Sequence, residues 1–203
     1  MPGHAVPGPA GAGVPDRAVR DAGPGDVAAI VALLAPVFAE GPVARWLDPD
    51  PATRLAHSRR YFAGAVDHAY AHGLVQVVTD AGDVVGAALW LPPAGPPFDI
   101  PGGIAGPVSG RLAVLDMLLS GRRPDGDVHV LEYLAVRRDR RGQGIGSRLL
   151  GHRHAWLDAM GIPAYLEAND PRNRALYHRH GYADLGAPVR LPDDTPIWPM
   201  QRS

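Results

Sequence analysis

The stretch over residues 127–160 constrains the fold most, because a strand-like run, a glycine-spaced loop and an apolar helix follow one another directly. "DVHVLEYLAV" is the most strand-like run in the chain, and "RRDRRGQGIGSRLL" leads from it into a helix. We predict that helix from Gly144 to Met160, with Ile145 and Trp156 on one apolar face. The unit indicates an α/β domain in which a loop of charged residues meets the start of a helix.

The loop has the properties of an anion-binding site. The first N–H groups of a helix have no intrahelical partners and carry about half a positive charge. Glycines in the loop let the backbone approach an anion closely, and Arg141 adds a bidentate donor. The alternative is a solvated, arginine-rich loop. The spacing excludes a Walker loop, which needs Gly-Lys-Ser/Thr, and the dinucleotide GxGxxG motif, whose strand runs straight into the first glycine.

The remaining sequence alternates between helix-like and strand-like segments. A strand from Arg17 precedes a helix capped by Asp26, and a second helix runs from Pro51 to Gly73. A hairpin turning at "DAGD" ends at Pro92, and "GRLAVLDMLLSG" is a short helix that could lid a pocket. Farther along, "PAYLEA" is a strand, "PRNRALYHRHG" a helix and "YADLGAPVRLPDDTPIWPM" a pair of strands, so the order is β-α-α-β-β-(α)-β-α-β-α-β-β.

Composition limits the classes of partner. The chain has 203 residues, a net charge of −1 and no cysteine, which favours a small anionic ligand over wholesale nucleic-acid or membrane binding and excludes a thiol nucleophile. Residues 1–16 are rich in Gly and Pro and predict a disordered tail before a single domain over residues 17–203. Neither a secretory signal nor a membrane-spanning run stands out, so we expect a cytoplasmic protein.

Two blocks of this sequence together resemble the GNAT N-acetyltransferases. "LAVRRDRRGQGIGSRLL" is similar to the acetyl-coenzyme A signature R/Q-x-x-G-x-G/A, with its core at Arg141, Gly144 and Gly146. "YLEANDPRNRALYHRHGY" is similar to the second family block, a strand followed by an asparagine and a helix. Within the family, "ALWLPP", "PRNRALYHRHGY" and "LPDDTPIWPM" resemble puromycin N-acetyltransferase-like members most, and the likeness covers residues 17–203.

The resemblance implies a fold and a donor. The GNAT fold has a mixed, mostly antiparallel central sheet of six to seven strands, splayed between the fourth and fifth strands and flanked by helices. Free backbone groups at the end of the fourth strand would pair with the pantetheine arm of acetyl-CoA, and the loop amides would hold its pyrophosphate. The implied coenzyme A contacts are Leu134, Ala135, Val136, Arg141, Gly142, Gln143, Gly144, Ile145, Gly146, Ser147, Asn173 and Tyr177.

Catalysis of acyl transfer to an amine needs a base for the amine and a proton for the departing thiolate. Glu132 is the preferred base, because in a regular strand its side chain would share a face with Leu134; a salt-bridged strand carboxylate is the alternative. His129 is the second candidate base, on the opposite face unless the bulge expected in this strand shifts the register. The resemblance makes Tyr177 the general acid, with aromatic packing as the alternative, while Asn173 could also cap its helix.

The acceptor side of the site is predicted from the positions of strand ends. Trp90, Glu132 and Trp198 are candidate acceptor contacts, and we expect no metal, since the histidines of each "HRH" triplet face apart on a helix. The predicted reaction is direct acetyl transfer from acetyl-CoA to a primary amine of a small molecule, an antibiotic or other secondary metabolite. The alternatives are a GNAT-fold aminoacyltransferase that uses a charged tRNA, whose phosphates the arginines would meet, and a non-catalytic coenzyme A-binding module. Pairing of the exposed final strands would give a homodimer.

Overall fold

The secondary structure follows the predicted order with two additions, one short helix and one short strand. The computed structural model describes residues 17–93, 95–100, 102, 104, 106–124 and 126–203, so the predicted tail at residues 1–16 lies outside the described residues. The elements are β1 (Val19–Asp21), α1 (Val27–Ala39), α2 (Pro42–Leu47), α3 (Pro51–His72), β2 (Leu74–Asp80), β3 (Asp83–Leu91), α4 (Pro107–Ser120), β4 (His129–Val136), α5 (Ile145–Met160), β5 (Ala164–Ala168), α6 (Pro171–Arg179), β6 (Ala183–Asp184), β7 (Val189–Arg190) and β8 (Pro196–Arg202). Helix α2 and strands β6 and β7 are short, and the sequence pattern did not resolve them as separate elements.

A single mixed sheet carries the fold. Its strand order is β1-β2-β3-β4-β5-β8-β6, with β7 paired to β8, which makes eight strands in the described part of the chain. All pairs are antiparallel except β4 with β5. The predicted mixed, mostly antiparallel sheet is confirmed. The expected count of six to seven strands was too low, because two-residue strands leave no periodic signal.

The sheet is splayed between β4 and β5, as predicted. These two strands pair only over residues 129–131 of β4 and 164–166 of β5. Beyond that point β4 continues along β3 to Val136, and β5 continues along β8 to Ala168. The far half of β4 therefore has a partner on one edge only, and the two strands open a gap between them.

Helices cover both faces of the sheet. On one face α1 and α3 bury Ile30, Leu34 and Val66 against β2 and β3, and on the other α5 buries Leu149 and Leu157 against the opposite side of the same strands. Each fully buried aliphatic side chain contributes about 1.5–3 kcal/mol. Within the described residues, no helix combines the length and apolarity needed to cross a bilayer. The two helical layers hold the splayed half of the sheet between them.

The start of α1 differs from the predicted cap. Asp26 directly precedes the helix, but its carboxylate makes no hydrogen bond to the helix amides. It accepts instead from the Gly23 amide at 2.7 Å and pairs with the Arg20 guanidinium at 2.7 and 2.9 Å. Instead of capping α1, Asp26 thus links β1 to the turn before the helix.

A buried histidine makes the fold sensitive to acid. His154 on α5 is 5% exposed, lies 3.0 Å from the Tyr182 hydroxyl and contacts the ring of Trp90. Burial and the neighbouring Arg202 lower the pKa of His154 to about 4. Below pH 6.5 the unfolded chain binds a proton at this residue, whereas the folded chain does so only near pH 4, so stability falls as the pH drops through that window.

We expect His154 to remove up to about 3 kcal/mol from the free energy of unfolding between pH 7 and pH 4. The double variant His154→Phe/Tyr182→Phe takes away both hydrogen-bonding partners and should reduce this slope, because position 154 no longer titrates, while burial still lowers the pKa values of His129 and His180. Denaturant unfolding at several pH values measures the difference. Equal slopes for the wild type and the double variant would show that His154 does not titrate in this window.

Candidate active site

The loop between β4 and α5 turns through two glycines in the left-handed region. Gly142 has φ 76° and Gly144 has φ 75°, a conformation that side chains with a Cβ rarely adopt. Gly146 lies in the first turn of α5, where a Cβ would come within 3.8 Å of Leu134 and Val136. The loop therefore brings the unpaired amides at the start of α5 directly beside the free edge of β4.

The arginines of this loop divide into two groups. Three of them are ion-paired to carboxylates of the same chain. The pairs are Arg137 with Asp83 and Asp139, Arg138 with Glu40, and Arg140 with Asp80 and Asp139. In the part of the chain that the structure describes, no carboxylate forms such a pair with Arg141, whose Nε donates to the Val136 carbonyl oxygen at 3.4 Å. Arg141 is thus the loop arginine with charge to offer an anion.

The free edge of β4 has its own polarity. The Arg137 amide donates to the Val85 carbonyl oxygen at 2.9 Å, so that pair is a hydrogen-bonded one. Hydrogen-bonded and non-hydrogen-bonded pairs alternate along an antiparallel ladder. Ala135 therefore bonds β3, while the backbone groups of Leu134 and Val136 point into the splay. This corrects the expectation that all three residues offer free groups.

A β-bulge interrupts β4 at Glu132. The register places Leu131 opposite Trp90 and Tyr133 opposite Leu89, which leaves Glu132 without a partner on β3. A bulge shifts the alternation of side chains between the two faces. The prediction that Glu132 shares a face with Leu134 was wrong for this reason.

The consequence of the bulge is visible in the packing of β4. Leu131 packs in the same core cluster as Leu134 and Val136, under α5. The Glu132 carboxylate is paired with Arg123, which follows α4 on the other side of the sheet. The bulge therefore moves a carboxylate to the side of α1, α3 and α4.

A cavity of about 760 Å³ opens at the splay and extends between α1, α3, α4 and the sheet. Apolar and aromatic side chains form most of its wall, including Phe38 and Phe62. Its polar lining near the splay includes Arg123, Glu132, Glu167, Asn169, Asn173 and Tyr177. Such a concave, mostly apolar space with a few convergent polar groups is typical of a small-molecule site.

Glu167 is a functional candidate that sequence reasoning missed. Its Oε1 accepts a hydrogen bond from the Tyr165 hydroxyl at 3.1 Å, and it lies on β5 across the splay from Glu132. Burial is the main cause that raises the pKa of Glu167 to about 7, against the opposing charge of Arg123. The available signal was the period of two in "AYLEA", which places Tyr165 and Glu167 on one face of the strand.

Tyr177 and Asn173 both line the cavity from α6. The Tyr177 side chain is buried, and loss of hydration raises its pKa above the ordinary range, so the hydroxyl stays protonated. Asn173 is exposed in the first turn. The cap of α6 is Asp170, which accepts from the Arg172 amide at 2.7 Å, so the expected capping role of Asn173 is not observed. The Asn173 side chain is free for another contact.

Three predicted site residues lie away from the cavity wall. His129 packs against Trp156 and lies 3.2 Å from the Arg153 guanidinium, both on α5. Trp90 is fully buried beside His154, and Trp198 lies under the guanidinium of Arg174. None of the three is among the residues that line the cavity in the described part of the chain. These positions argue against His129 as the base and against the two tryptophans as acceptor contacts.

The sequence places the protein in a known family. Residues 37–182 match the profile described as "Acetyltransferase (GNAT) family". The chain belongs to the GNAT acetyltransferases. The splayed sheet with helices on both faces is the fold of this GNAT chain. Over the described residues, no group of three or more His, Asp or Glu side chains is arranged to hold a metal ion.

Solved structures share the fold over nearly the whole chain. One from Corynebacterium glutamicum, named "histone acetyltransferase HPA2 and related acetyltransferase", is 29% identical with a TM-score of 0.71, covering 92% of this chain and 96% of that one. A Drosophila melanogaster polyamine N-acetyltransferase that forms N-acetylagmatine is 15% identical with a TM-score of 0.63, over 92% and 99%. The PaiA N-acetyltransferase of Thermoplasma acidophilum in complex with coenzyme A is 10% identical with a TM-score of 0.56, over 91% and 97%.

We expect Gly86→Ala to destabilise the fold and to displace the start of α5 next to the loop. A Cβ at Gly86 on β3 would lie 2.5 Å from Ile145 Cγ2, at the first residue of α5. Overpacking of this kind costs about 1–3 kcal/mol, and displacement of Ile145 would also weaken donor binding at the loop. Gly151→Ala is the matched control. Gly151 lies on α5 like Ile145, but a Cβ there would meet nothing within 4 Å. Denaturant unfolding and donor titration measure both effects; a Gly86→Ala protein as stable as Gly151→Ala would contradict the prediction.

Proposed function

We propose that this GNAT protein is an acetyl-CoA-dependent N-acetyltransferase that acetylates a primary amine of a small molecule by direct attack in a ternary complex. The observation that carries the proposal is the cavity at the splay, which brings the free edge of β4 together with Glu132, Glu167 and Tyr177. The reaction needs a donor site, a group that accepts a proton and a group that donates one. The cavity and its rim offer all three.

The residues around the splay fit acetyl-CoA as the donor. The left-handed backbone at Gly142 and Gly144 turns the loop amides toward the start of α5, where the helix dipole favours an anion such as a pyrophosphate. Arg141, without a carboxylate partner among the described residues, adds a charge-assisted hydrogen bond. The amide groups of a pantetheine arm suit the backbone groups of Leu134 and Val136 that face away from β3. The bound donor supplies an activated thioester.

Side chains of the protein then transfer two protons, one from the acceptor ammonium group and one to the departing thiolate. An alkylamine with a pKa near 10.4 is almost fully protonated at pH 7, and making it neutral costs about 4.6 kcal/mol. A carboxylate of the cavity wall takes that proton. The amine nitrogen attacks the carbonyl carbon, the C–N bond forms and the C–S bond breaks. The Tyr177 hydroxyl protonates the departing thiolate and recovers a proton from the attacking nitrogen, directly or through water.

The acceptor we propose is a small cationic amine. The cavity wall is largely apolar and its carboxylates outnumber its guanidinium groups by four to two, which suits an ammonium group on an apolar body. The polyamine N-acetyltransferase of similar fold supports an amine of this class, and the resemblance to puromycin N-acetyltransferase-like members supports an antibiotic or other secondary metabolite. The proposal takes residues 17–203 as one catalytic domain that acts in the cytoplasm; pairing into a homodimer stays a prediction.

The tRNA alternative draws no support from the loop. A surface that binds tRNA through its phosphates needs arginines free to pair with them. Arg137, Arg138 and Arg140 are already paired with carboxylates of this chain. The remaining charge, on Arg141, suits one compact anionic group better than a polyphosphate backbone.

The test is calorimetric titration with acetyl-CoA followed by thiol release with a panel of primary amines that begins with agmatine, 1,3-diaminopropane and tyramine. We expect micromolar binding that Arg141→Ala weakens by about tenfold or more, because a charge-assisted hydrogen bond is lost, whereas Arg138→Ala leaves it nearly unchanged. Amine-dependent thiol release completes the support. Binding without release across the panel would favour the non-catalytic coenzyme A-binding module, and no binding would overturn the proposal.

A further inference from the structure

We propose that Glu167 on β5, rather than Glu132 on β4, is the general base of the acetyl transfer, and that the Glu132–Arg123 pair positions and tunes it. The inference rests on the function proposed above and names the residue that receives the proton of the acceptor ammonium. It reverses the preference that the sequence gives to Glu132.

Glu132 is held in an ion pair. Its side chain is 17% exposed and its Oε1 accepts a charge-assisted hydrogen bond from the Arg123 guanidinium. That hydrogen bond engages one of the two carboxylate oxygens and restricts the orientation of the group. The bulge at Glu132 fixes the carboxylate in that pair, on the side of the sheet that α4 covers. A base held in this way would have to break the pair before it could accept a proton.

Glu167 is placed differently. It follows the last residue of β5 that pairs with β4, so it lies on the β5 side of the splay, across from Glu132. It lines the same cavity as Tyr177. The Tyr165 hydroxyl donates to its Oε1, which fixes the carboxylate and leaves Oε2 available to an ammonium group. A proton acceptor and a protonated hydroxyl then share the space where the thioester of a donor paired with β4 would end.

The surroundings of Glu167 suit a base that works near neutrality. Burial and the negative charge of Glu132 disfavour its ionised form, while Arg123 and the Tyr165 hydroxyl favour it. A base whose pKa lies near the working pH combines a usable ionised fraction with real proton affinity. The charged and titratable groups that face Glu167 are Asp116 on α4, Arg123 after α4, Glu132 and Tyr133 on β4, and Tyr165 on β5.

The proton balance is complete without another reactant. Glu167 takes one proton from the acceptor ammonium and becomes a carboxylic acid, and the neutral amine forms the C–N bond as the C–S bond breaks. Tyr177 gives its proton to the thiolate and regains one from the acetylated nitrogen. The proton on Glu167 is released to water after the products leave, so each turnover gives one amide, one thiol and one proton.

The chain is suited to a direct test, because it contains three glutamates, Glu40, Glu132 and Glu167. Selective ¹³C labelling of the glutamate side-chain carboxyl therefore gives three resonances, which Glu132→Gln and Glu167→Gln assign by their absence. We expect the Glu167 carboxyl to titrate near pH 7 in the protein without any amine. Removing Glu132 takes away a like charge and frees Arg123, so Glu132→Gln should move the Glu167 titration to lower pH.

The rate profile decides the role. With the amine of the panel that releases thiol fastest, wild-type kcat/KM should rise with pH through the midpoint of the Glu167 titration. Glu167→Gln should lower kcat/KM by about 10² or more and abolish this rise of kcat/KM with pH, the limb of the profile. Its acetyl-CoA affinity, measured by calorimetry, should stay within about threefold of the wild type, which would show that the fold is intact. Glu132→Gln should retain the limb and shift it to lower pH together with the Glu167 titration.

The contrary outcomes are distinct. If Glu132→Gln abolishes the limb while Glu167→Gln retains it, Glu132 is the base and the inference is overturned. If the Glu167 carboxyl titrates in the ordinary range of exposed glutamates, burial and Glu132 do not raise its pKa, and the proposed role of the Glu132–Arg123 pair is overturned. If the wild type acetylates no amine of the panel, the proposed function fails, and the role of Glu167 fails with it whatever its titration shows.

Discussion

Gly144→Asp raises the dissociation constant of acetyl-CoA by about 10² or more, whereas Gly144→Asn raises it only a few-fold. Gly144 has φ 75° and ψ 5°, a region that Asn and Asp tolerate better than other side chains, and a Cβ there meets nothing within 4 Å. The two variants thus place nearly the same shape before α5. Two like charges about 5 Å apart repel by about 3 kcal/mol at an effective dielectric constant of about 20, which separates Asp from Asn.

Calorimetric titration of the two Gly144 variants at low and moderate salt measures this difference. Part of the repulsion is screened, so the gap between Asp and Asn should narrow as salt rises. Equal weakening by Asn and Asp would mean that the backbone conformation, rather than charge, limits binding. Full affinity in both variants would show that the loop before α5 does not hold the anionic part of the donor.

Tyr177→Phe lowers kcat by about 10² to 10³ and leaves acetyl-CoA affinity nearly unchanged. The hydroxyl is the proton source for the thiolate, and general-acid catalysis contributes about 10²–10⁴ in rate. The Tyr177 ring packs 5.8 Å from the ring of Tyr182, so phenylalanine preserves the core around it. The loss should appear in the chemical step alone.

Tyr182→Phe is the matched control for Tyr177→Phe. Tyr182 lies in the same core cluster, but its hydroxyl meets His154 rather than the cavity. Its removal should lower stability and leave kcat near the wild-type value. Steady-state kinetics with the fastest amine of the panel compares the two. A Tyr177→Phe enzyme with wild-type kcat would assign the ring to packing and leave the thiolate to be protonated by water.

Local patterns were enough to predict the strand, loop and helix that carry the proposed donor site. The strand, the glycine-spaced loop and the helix from Ile145 are adjacent in sequence, and each carries its own signal of periodicity or conformation. The bulge at Glu132 could not be predicted in this way, because it is a property of how β4 registers against β3. The face predicted for Glu132 assumed regular alternation and failed where the register shifts.

The acceptor side depends on contacts between distant parts of the chain. The surroundings of Glu167 include Arg123 from the segment after α4 and Glu132 from β4, and no pattern around "AYLEA" announces them. Trp90 illustrates the reverse case. It stands near the end of a strand that the sequence identifies well, but α5 covers it completely, and only the packed structure shows that.

Three ion pairs link the loop before α5 to the first half of the chain. Arg138 reaches Glu40 at the end of α1, 98 positions away, and Arg137 and Arg140 reach Asp83 and Asp80 at the β2–β3 turn. Local opening of the hairpin or of α1 therefore breaks the ion pairs that hold the loop. A donor that contacts only the second half of the chain raises the free energy of opening in the first half, by thermodynamic linkage that grows with the logarithm of donor concentration. If the proposed donor binds, the N-terminal half should therefore resist proteolysis more strongly as donor concentration rises.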